Sequence, residues 1–84
     1  MTYCLLITRK SQKQLATLPK KDFLKTKEKI ESLALNPRPP GAIKLTGREA
    51  WRIRIGNYRV IYEVIDDQLI VKVIKVGHRK DVYD

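Results

Sequence analysis

The spacing of apolar residues changes from a helical period to a strand period part-way along the chain. A short apolar run at 3–8 predicts a buried strand, and Thr8 or Ser11 can cap a helix that begins near Arg9. Pro19 ends that helix, and a second helix is predicted between Lys20 and about Leu35. Its apolar residues, which follow a 3.6-residue period, are Phe23, Ile30, Leu33 and Ala34, and lysines occupy most of the other positions. The pattern therefore predicts a strand followed by a helical hairpin.

The segment 36–47 interrupts all regular periodicity. Pro37, Pro39 and Pro40 favour extended backbone, and Gly41 permits a turn. We interpret this segment as a stiff spacer that carries the chain across the sheet, with a functional loop as the alternative.

From Trp51 onward the apolar residues alternate with polar ones, as in a strand with one solvent-exposed face. Gly56-Asn57 predicts a two-residue hairpin turn, 58–65 a second strand, Asp66-Asp67 another turn and 69–76 the last strand. The prediction is a single small α+β domain over residues 1–84, in the order β-α-α-β-β-β. Its antiparallel sheet carries the N-terminal helical hairpin on one face.

The balance of charge narrows the class of partner. The chain has 18 lysines and arginines against 9 acidic residues, a formal net charge of +9. This excess favours a polyanion such as nucleic acid, a ribosome or an acidic protein, with a well-solvated surface as the alternative. One cysteine and one histidine are too few for a usual zinc site, and the scattered glycines form no nucleotide-binding loop, so we expect no metal and no cofactor. No signal peptide or membrane span is evident, which predicts a cytoplasmic protein without membrane association.

The candidate chemistry lies in the second half of the chain. Arg52 and Arg54 project from one face of their strand, and Arg59 follows on the next strand, on a face that depends on the register. Further residues follow the last strand and can close over the same face: His78, Arg79 and Tyr83. No Ser-His-Asp pattern or framed carboxylate pair is present. Arginine, histidine and tyrosine suit a reaction in which charge builds on a phosphate, such as RNA cleavage by its own 2′-hydroxyl.

Several short motifs in this half resemble those of one toxin family. They are Lys44-Leu45-x-Gly47, Trp51-Arg52-Ile53-Arg54, Gly56-x-Tyr58-Arg59-Val60-x-Tyr62, Val76-Gly77-His78-Arg79 and Val82-Tyr83. The combination resembles the RelE/ParE superfamily, the toxins of bacterial type II toxin–antitoxin modules. The pattern is most similar to RelE-like toxins, which cleave mRNA in the ribosomal A site.

The resemblance implies an endoribonuclease with a catalytic set of Arg54, Arg59, Arg79 and Tyr83. Arg59 and Arg79 would stabilise the transition-state phosphate, with Arg79 also able to protonate the leaving 5′-oxygen. Arg54 would position the phosphate, and Tyr83 would orient or deprotonate the 2′-hydroxyl. RelE-like toxins often carry lysine where this chain has Arg52 and Arg54, so proton transfer is not expected from these two positions.

The expected partners follow from the same resemblance. They are mRNA on the ribosome, in the A site of the 30S subunit and next to ribosomal RNA, and a small acidic antitoxin that neutralises the toxin. Residues expected to contact RNA or the ribosome are Arg52, Lys44, Arg48, His78 and Lys80.

Four alternatives stay open from the sequence. The chain could be a ParE-like inhibitor of DNA gyrase or a basic RNA-binding domain without catalysis. Arg59 and Arg79 could instead form salt bridges with acids such as Glu63 or Asp81. The helix lysines at 20, 21, 25, 27 and 29 are interpreted as a solvated face, with contact to ribosomal RNA as the alternative.

Overall fold

The computed structural model describes residues 2–82 and contains two helices and one five-stranded sheet. The strands lie in the order β1-β5-β4-β3-β2. The elements along the chain are β1 (Cys4–Ile7), α1 (Arg9–Ala16), α2 (Lys20–Ser32), β2 (Ile43–Lys44), β3 (Ala50–Ile55), β4 (Tyr58–Ile65), a 3₁₀ turn (Asp66–Gln68) and β5 (Ile70–His78). The predicted α+β architecture, with two N-terminal helices and a mainly antiparallel sheet, is confirmed.

Local sequence explains where the helices begin and end. The Thr8 hydroxyl caps α1 by accepting the Ser11 backbone N–H at 3.1 Å. The buried Ser11 hydroxyl in turn donates to the Val73 carbonyl at 3.2 Å, which ties α1 to β5. Pro19 separates the helices and precedes the first turn of α2, where the absence of its N–H costs nothing.

The main core lies between the two helices and one face of the sheet. Its buried members are Leu15, Ile30, Leu33, Ile53, Val60, Tyr62, Val64, Val71, Val73 and Val76. The Tyr62 hydroxyl, which is fully buried, donates to the Pro37 carbonyl at 2.7 Å and so fixes the proline-rich segment to the sheet. We call this side of the sheet the helical face.

The other side of the sheet, which we call the open face, carries a second and smaller apolar cluster. It contains Leu45, Ala50, Ile61 and Val82, with Ile74 packed against them. Ile74 lies on this side because it follows Val73, which points into the main core. The β4–β5 register then shifts between Ile61 and Tyr62, where the partners change from Lys75 to Val73, and this shift lets Val76 rather than Lys75 face the main core. The bulge fixes which residues of β5 stand beside β4 further along.

The structure differs from the sequence prediction in four local respects. β1 pairs parallel to β5, because the first strand joins the last one, a partnership that periodicity does not report. A two-residue strand, Ile43–Lys44, interrupts the segment predicted to lack regular structure, and it is too short to show a period. The predicted Asp66-Asp67 turn is a 3₁₀ turn that ends at Leu69 in the left-handed region (φ 53°). The last strand continues to His78.

Candidate active site

The β3–β4 hairpin determines the geometry of the candidate site. Gly56 and Asn57 form a two-residue turn, and Gly56 has a φ of 58°, which the first position of a type II′ turn requires. Ile55 therefore stands opposite Tyr58, and Arg54 stands directly opposite Arg59. Residues directly opposite each other in a ladder project from the same side, so the register that the sequence left open is settled.

Three arginines share this side of the sheet, and we call them the arginine face: Arg52, Arg54 and Arg59. Arg52 stands opposite Ile61, a member of the open-face cluster, whereas the intervening Ile53 points into the main core. The arginine face therefore lies on the open face. Directly opposed Cβ atoms are about 5 Å apart and diagonal neighbours somewhat further, so the side chains of all three are able to reach one phosphate group.

The electrostatics of the arginine face reflect this crowding. Partial burial lowers the pKa of Arg52, and the positive charges of Arg59 and then Arg54 lower it further. The Arg59 Nε is buried and has no hydrogen-bond partner within residues 2–82. An anion placed among these groups would relieve their repulsion.

Salt bridges with described acids do not account for Arg54, Arg59 or Arg79. The ion pairs among residues 2–82 include Arg38–Asp66 at 2.7 Å and Lys44–Glu49 at 3.4 Å. Neither Arg59 nor Arg79 forms an ion pair with a described acid. The geometry therefore favours the anion-binding interpretation of Arg59 over the structural one.

The segment after β5 turns back toward the arginine face. The Arg79 backbone N–H donates to the Asn57 carbonyl of the hairpin turn at 2.8 Å, and the Asp81 N–H donates to the His78 carbonyl at the same distance. Val82 then lies in the open-face cluster and is only 2% exposed. The backbone of the exposed Arg79 is thereby held beside the turn that precedes β4, the strand of Arg59.

Gly77 permits this return of the chain. It stands opposite Arg59 in the β4–β5 ladder, and a Cβ atom on it would lie 2.7 Å from Val82 Cγ2. Glycine is needed here for space, because its backbone φ is outside the left-handed region. Tyr83, the fourth predicted catalytic residue, lies outside the described residues.

Comparison with known proteins identifies the family. A family model described as the ParE toxin of the type II toxin–antitoxin system, parDE, matches residues 5–83. The chain belongs to this toxin family. This confirms the RelE/ParE resemblance that the motifs indicate.

Individual relatives place the toxin among RelE-like proteins. It is 36% identical to a putative toxin RelE1 of Methanocaldococcus jannaschii, over 99% of this chain and 97% of the relative. The structure matches RelE in the archaeal RelE–RelB complex from Pyrococcus horikoshii with a TM-score of 0.85 and 33% identity, covering 98% of this chain and 100% of the other. It also matches a mutant of E. coli toxin RelE in the free state, with a TM-score of 0.81 and 29% identity, over 95% and 86% of the two chains.

The structure does not bring His78 to the arginine face of the toxin. His78 is paired with Tyr58 and lies two residues beyond the core residue Val76, so it projects on the helical face. The Tyr58 and His78 rings meet edge to face, with centroids 5.6 Å apart. His78 Nδ1 accepts the Lys80 backbone N–H at 3.2 Å, so a neutral His78 carries its proton on Nε2. Lys80 itself is exposed in the turn that follows β5.

The two other predicted RNA contacts lie at the opposite end of β3. Lys44 stands opposite Trp51, hence on the helical face, and is paired with Glu49. Arg48 is exposed in the turn between β2 and β3. Neither residue stands beside Arg54 and Arg59 in the sheet.

A pair of adjoining clefts between α2 and β3 was not predicted. Both are lined by Lys29 and Arg54, and Lys25 lines the larger one. The sequence favours a solvated face for the α2 lysines, with contact to ribosomal RNA as the alternative. The available signal was that Lys25 and Lys29 are four residues apart and so share one side of the helix.

Within residues 2–82, no helix has both the length and the apolar character needed to cross a membrane.

Proposed function

We propose that this RelE-like toxin is a ribosome-dependent endoribonuclease that cleaves mRNA in the ribosomal A site and so inhibits translation. The observation that carries the proposal is the Arg54–Arg59 cross-strand pair, with Arg52 on the same side and Arg79 hydrogen-bonded through its backbone to the connecting turn. The similarity to RelE proteins supports the same activity. A cytoplasmic location follows from the proposed target.

The proposed reaction needs only the nucleophile that RNA itself supplies. The 2′-oxygen attacks the adjacent phosphorus, the bond to the 5′-oxygen breaks, and a 2′,3′-cyclic phosphate and a 5′-hydroxyl result. The proton leaves the 2′-hydroxyl and a proton reaches the departing 5′-oxygen. Charge accumulates on the non-bridging oxygens in the transition state, and fixed guanidinium groups stabilise that charge without reorganising.

Each residue of the arginine face has a role in this proposal. Arg59, central in the sheet and with a buried Nε, binds the phosphate together with Arg54. Arg79 approaches from the turn after β5, stabilises the same charge and faces the departing 5′-oxygen. Tyr83 orients or deprotonates the 2′-hydroxyl, with Arg52 as a further phosphate contact. His78 projects on the helical face, so we assign it no proton transfer.

The proposal includes a small acidic antitoxin as the partner that neutralises the toxin. The P. horikoshii RelE structure is a complex with RelB. The net charge of +9 favours an acidic partner, and the open face combines arginines with the apolar cluster around Ile61. Toxicity on expression alone, relieved by coexpression of an acidic protein from the adjacent reading frame, would support this part.

A defined message translated in a purified system tests the enzymatic proposal. After addition of the toxin, the 5′ ends of the message fragments are mapped with and without ribosomes. The expected result is cleavage within codons that requires ribosomes and carries 5′-hydroxyl ends. Intact message at toxin concentrations that stop translation would refute the proposal.

DNA gyrase inhibition is the second candidate, because the matching family model is described as a ParE toxin. It does not require arginines assembled around a phosphate. A supercoiling assay with purified gyrase separates the two activities: inhibited supercoiling with intact message would favour the ParE-like function.

A further inference from the structure

One cleft of the toxin lies between α2 and the margin of β3. It has a volume of about 480 Å³ and is lined by Lys25, Glu28, Lys29, Ser32, Arg54 and Ile55. A second cleft of about 350 Å³ shares Lys29 and Arg54 and continues toward the loop at Gly41 and Ile43. Together they form one groove, which we call the α2–β3 groove.

The groove exists because β2 is so short. Its two residues pair only with Trp51 and Arg52, so β3 has no described strand partner on its outer side from Ile53 to Ile55. α2 packs over this part of the sheet and leaves the margin open. Arg54 lies on that margin and also belongs to the arginine face, so the groove is continuous with the candidate active site.

The charges of the groove are suited to a polyanion. Lys25, Lys29 and Arg54 supply three positive charges, whereas Glu28 supplies one negative charge. Neither lysine forms an ion pair with a described acid. Lys21, Lys25 and Lys29 follow each other at four-residue intervals, a spacing at which like charges repel and destabilise a helix. A bound anion would remove that repulsion.

The spacing of the cations favours an extended strand over a single anion. Lys25 and Lys29 are one helical turn apart, about 6 Å along the axis. This rise is comparable to the separation of successive phosphates along an RNA strand. Glu28 and Ser32 lie between and beside these cations and offer acceptor oxygens, which suit the hydroxyl donors of ribose better than a purely anionic peptide.

We propose that the α2–β3 groove binds the phosphate backbone of single-stranded RNA, with Lys25 and Lys29 contacting phosphates next to those held by Arg54. The inference deepens the proposed endoribonuclease function and rests on it for its biological meaning. The RNA is either the message that leaves the arginine face or an exposed strand of ribosomal RNA, and the chemistry of recognition is the same.

The test compares two double variants with the same change in net charge. Lys25→Gln/Lys29→Gln removes both groove lysines, whereas Lys20→Gln/Lys27→Gln removes two exposed lysines that do not line the groove. Lys20 and Lys27 lie about 140° or more around the helix from Lys25, since 3.6 residues make one turn. Thermal unfolding of both variants first verifies that they are folded.

Binding of a short uridine oligonucleotide and of vacant ribosomes is measured over a series of salt concentrations. Each lost phosphate contact lowers the slope of log K against log salt by about 0.7 for a single strand, so the groove variant should lose about 1.4 and the control almost nothing. If the groove variant binds the oligonucleotide more weakly than the control variant does, a message-like strand is the ligand. If only its binding to vacant ribosomes is weaker, ribosomal RNA is the ligand.

Equal losses in the two variants would overturn the proposal, because binding would then follow net charge alone. A glutamate-rich peptide serves as a third probe. If the groove variant differs from the control only toward this peptide, the groove is a site for an acidic protein and the proposal is wrong. Cleavage by the unmodified toxin is measured separately. A toxin that binds RNA through the groove but does not cleave it would refute the proposed endoribonuclease function without refuting RNA binding in the groove.

Discussion

Gly77→Ala adds one methyl group where the tail of the toxin returns to the sheet. The new Cβ would lie 2.7 Å from Val82 Cγ2, closer than side-chain carbons approach. The backbone of Gly77 is not in the left-handed region, so alanine adds no backbone strain of its own. The whole unfavourable effect therefore arises from the contact with Val82.

The magnitude follows from two opposing terms. Overpacking of a buried contact costs about 1–3 kcal/mol. Alanine restricts the unfolded chain more than glycine does, which stabilises the folded state by about 0.4–1 kcal/mol where the native backbone suits alanine. The variant should therefore lose between about 0 and about 2.6 kcal/mol of unfolding free energy, with a central value of about 1.3 kcal/mol. If Val82 moves out of its cluster instead, the loss is limited by the burial of one valine side chain, about 1.5–3 kcal/mol.

A double-mutant cycle isolates the contact. Val82→Ala removes the methyl group that the new Cβ would meet, and alone it should cost about 1.6 kcal/mol for two lost methyl-sized groups. In that background Gly77→Ala should be neutral or slightly stabilising. The effect of alanine on the unfolded chain is the same in both backgrounds and cancels. Urea unfolding at 25 °C of the four proteins therefore gives a coupling energy equal to the overpacking cost, about 1–3 kcal/mol, if the clash is real.

The same variant tests how the tail contributes to function. Because Arg79 lies between Gly77 and Val82, displacement of Val82 should reduce cleavage in the ribosome assay more than the loss of stability explains. Cleavage should recover in part when Val82→Ala restores the space. An equal destabilisation by Gly77→Ala in both backgrounds would refute the geometric argument.

Three further predictions concern other parts of the toxin. Arg59→Ala and Arg79→Ala should each abolish ribosome-dependent cleavage with little change in the urea midpoint, and loss of folding in either would indicate a structural arginine instead. Burial raises the pKa of Tyr62 to about 12, whereas the same hydroxyl in the unfolded chain ionises near pH 10. The contribution of the neutral Tyr62 to the unfolding free energy is therefore fully present below about pH 10 and declines as the pH rises toward 12. The difference of about two pKa units between the folded and unfolded states corresponds to about 2–3 kcal/mol of unfolding free energy. Tyr62→Phe should not show this pH-dependent loss of stability when unfolding is measured from about pH 9 to 12. Thr8→Ala removes the N-cap of α1 and should cost about 1 kcal/mol, which Thr8→Ser should largely restore in the same unfolding assay.

The short-range features of this protein were accessible from its sequence. The helix that Thr8 caps, the interruption at Pro19 and the alternation after Trp51 all appear as expected, because each depends on residues within a few positions. The hairpin register was also accessible in principle. A two-residue turn at Gly56 and Asn57 requires Arg54 to stand opposite Arg59, since loop length fixes hairpin register.

The long-range features required the tertiary structure. Residues far apart in sequence decide that β1 pairs parallel to β5 and that Val82 packs on Ile61. The alternation of side chains along β5 decides that His78 projects away from the arginine face, and the bulge in β5 shifts that alternation. The residue types of the candidate site and the pairing of Arg54 with Arg59 were thus accessible from the sequence. Long-range contacts decided that this pair lies on the side of the sheet away from the helices, where Val82 also packs.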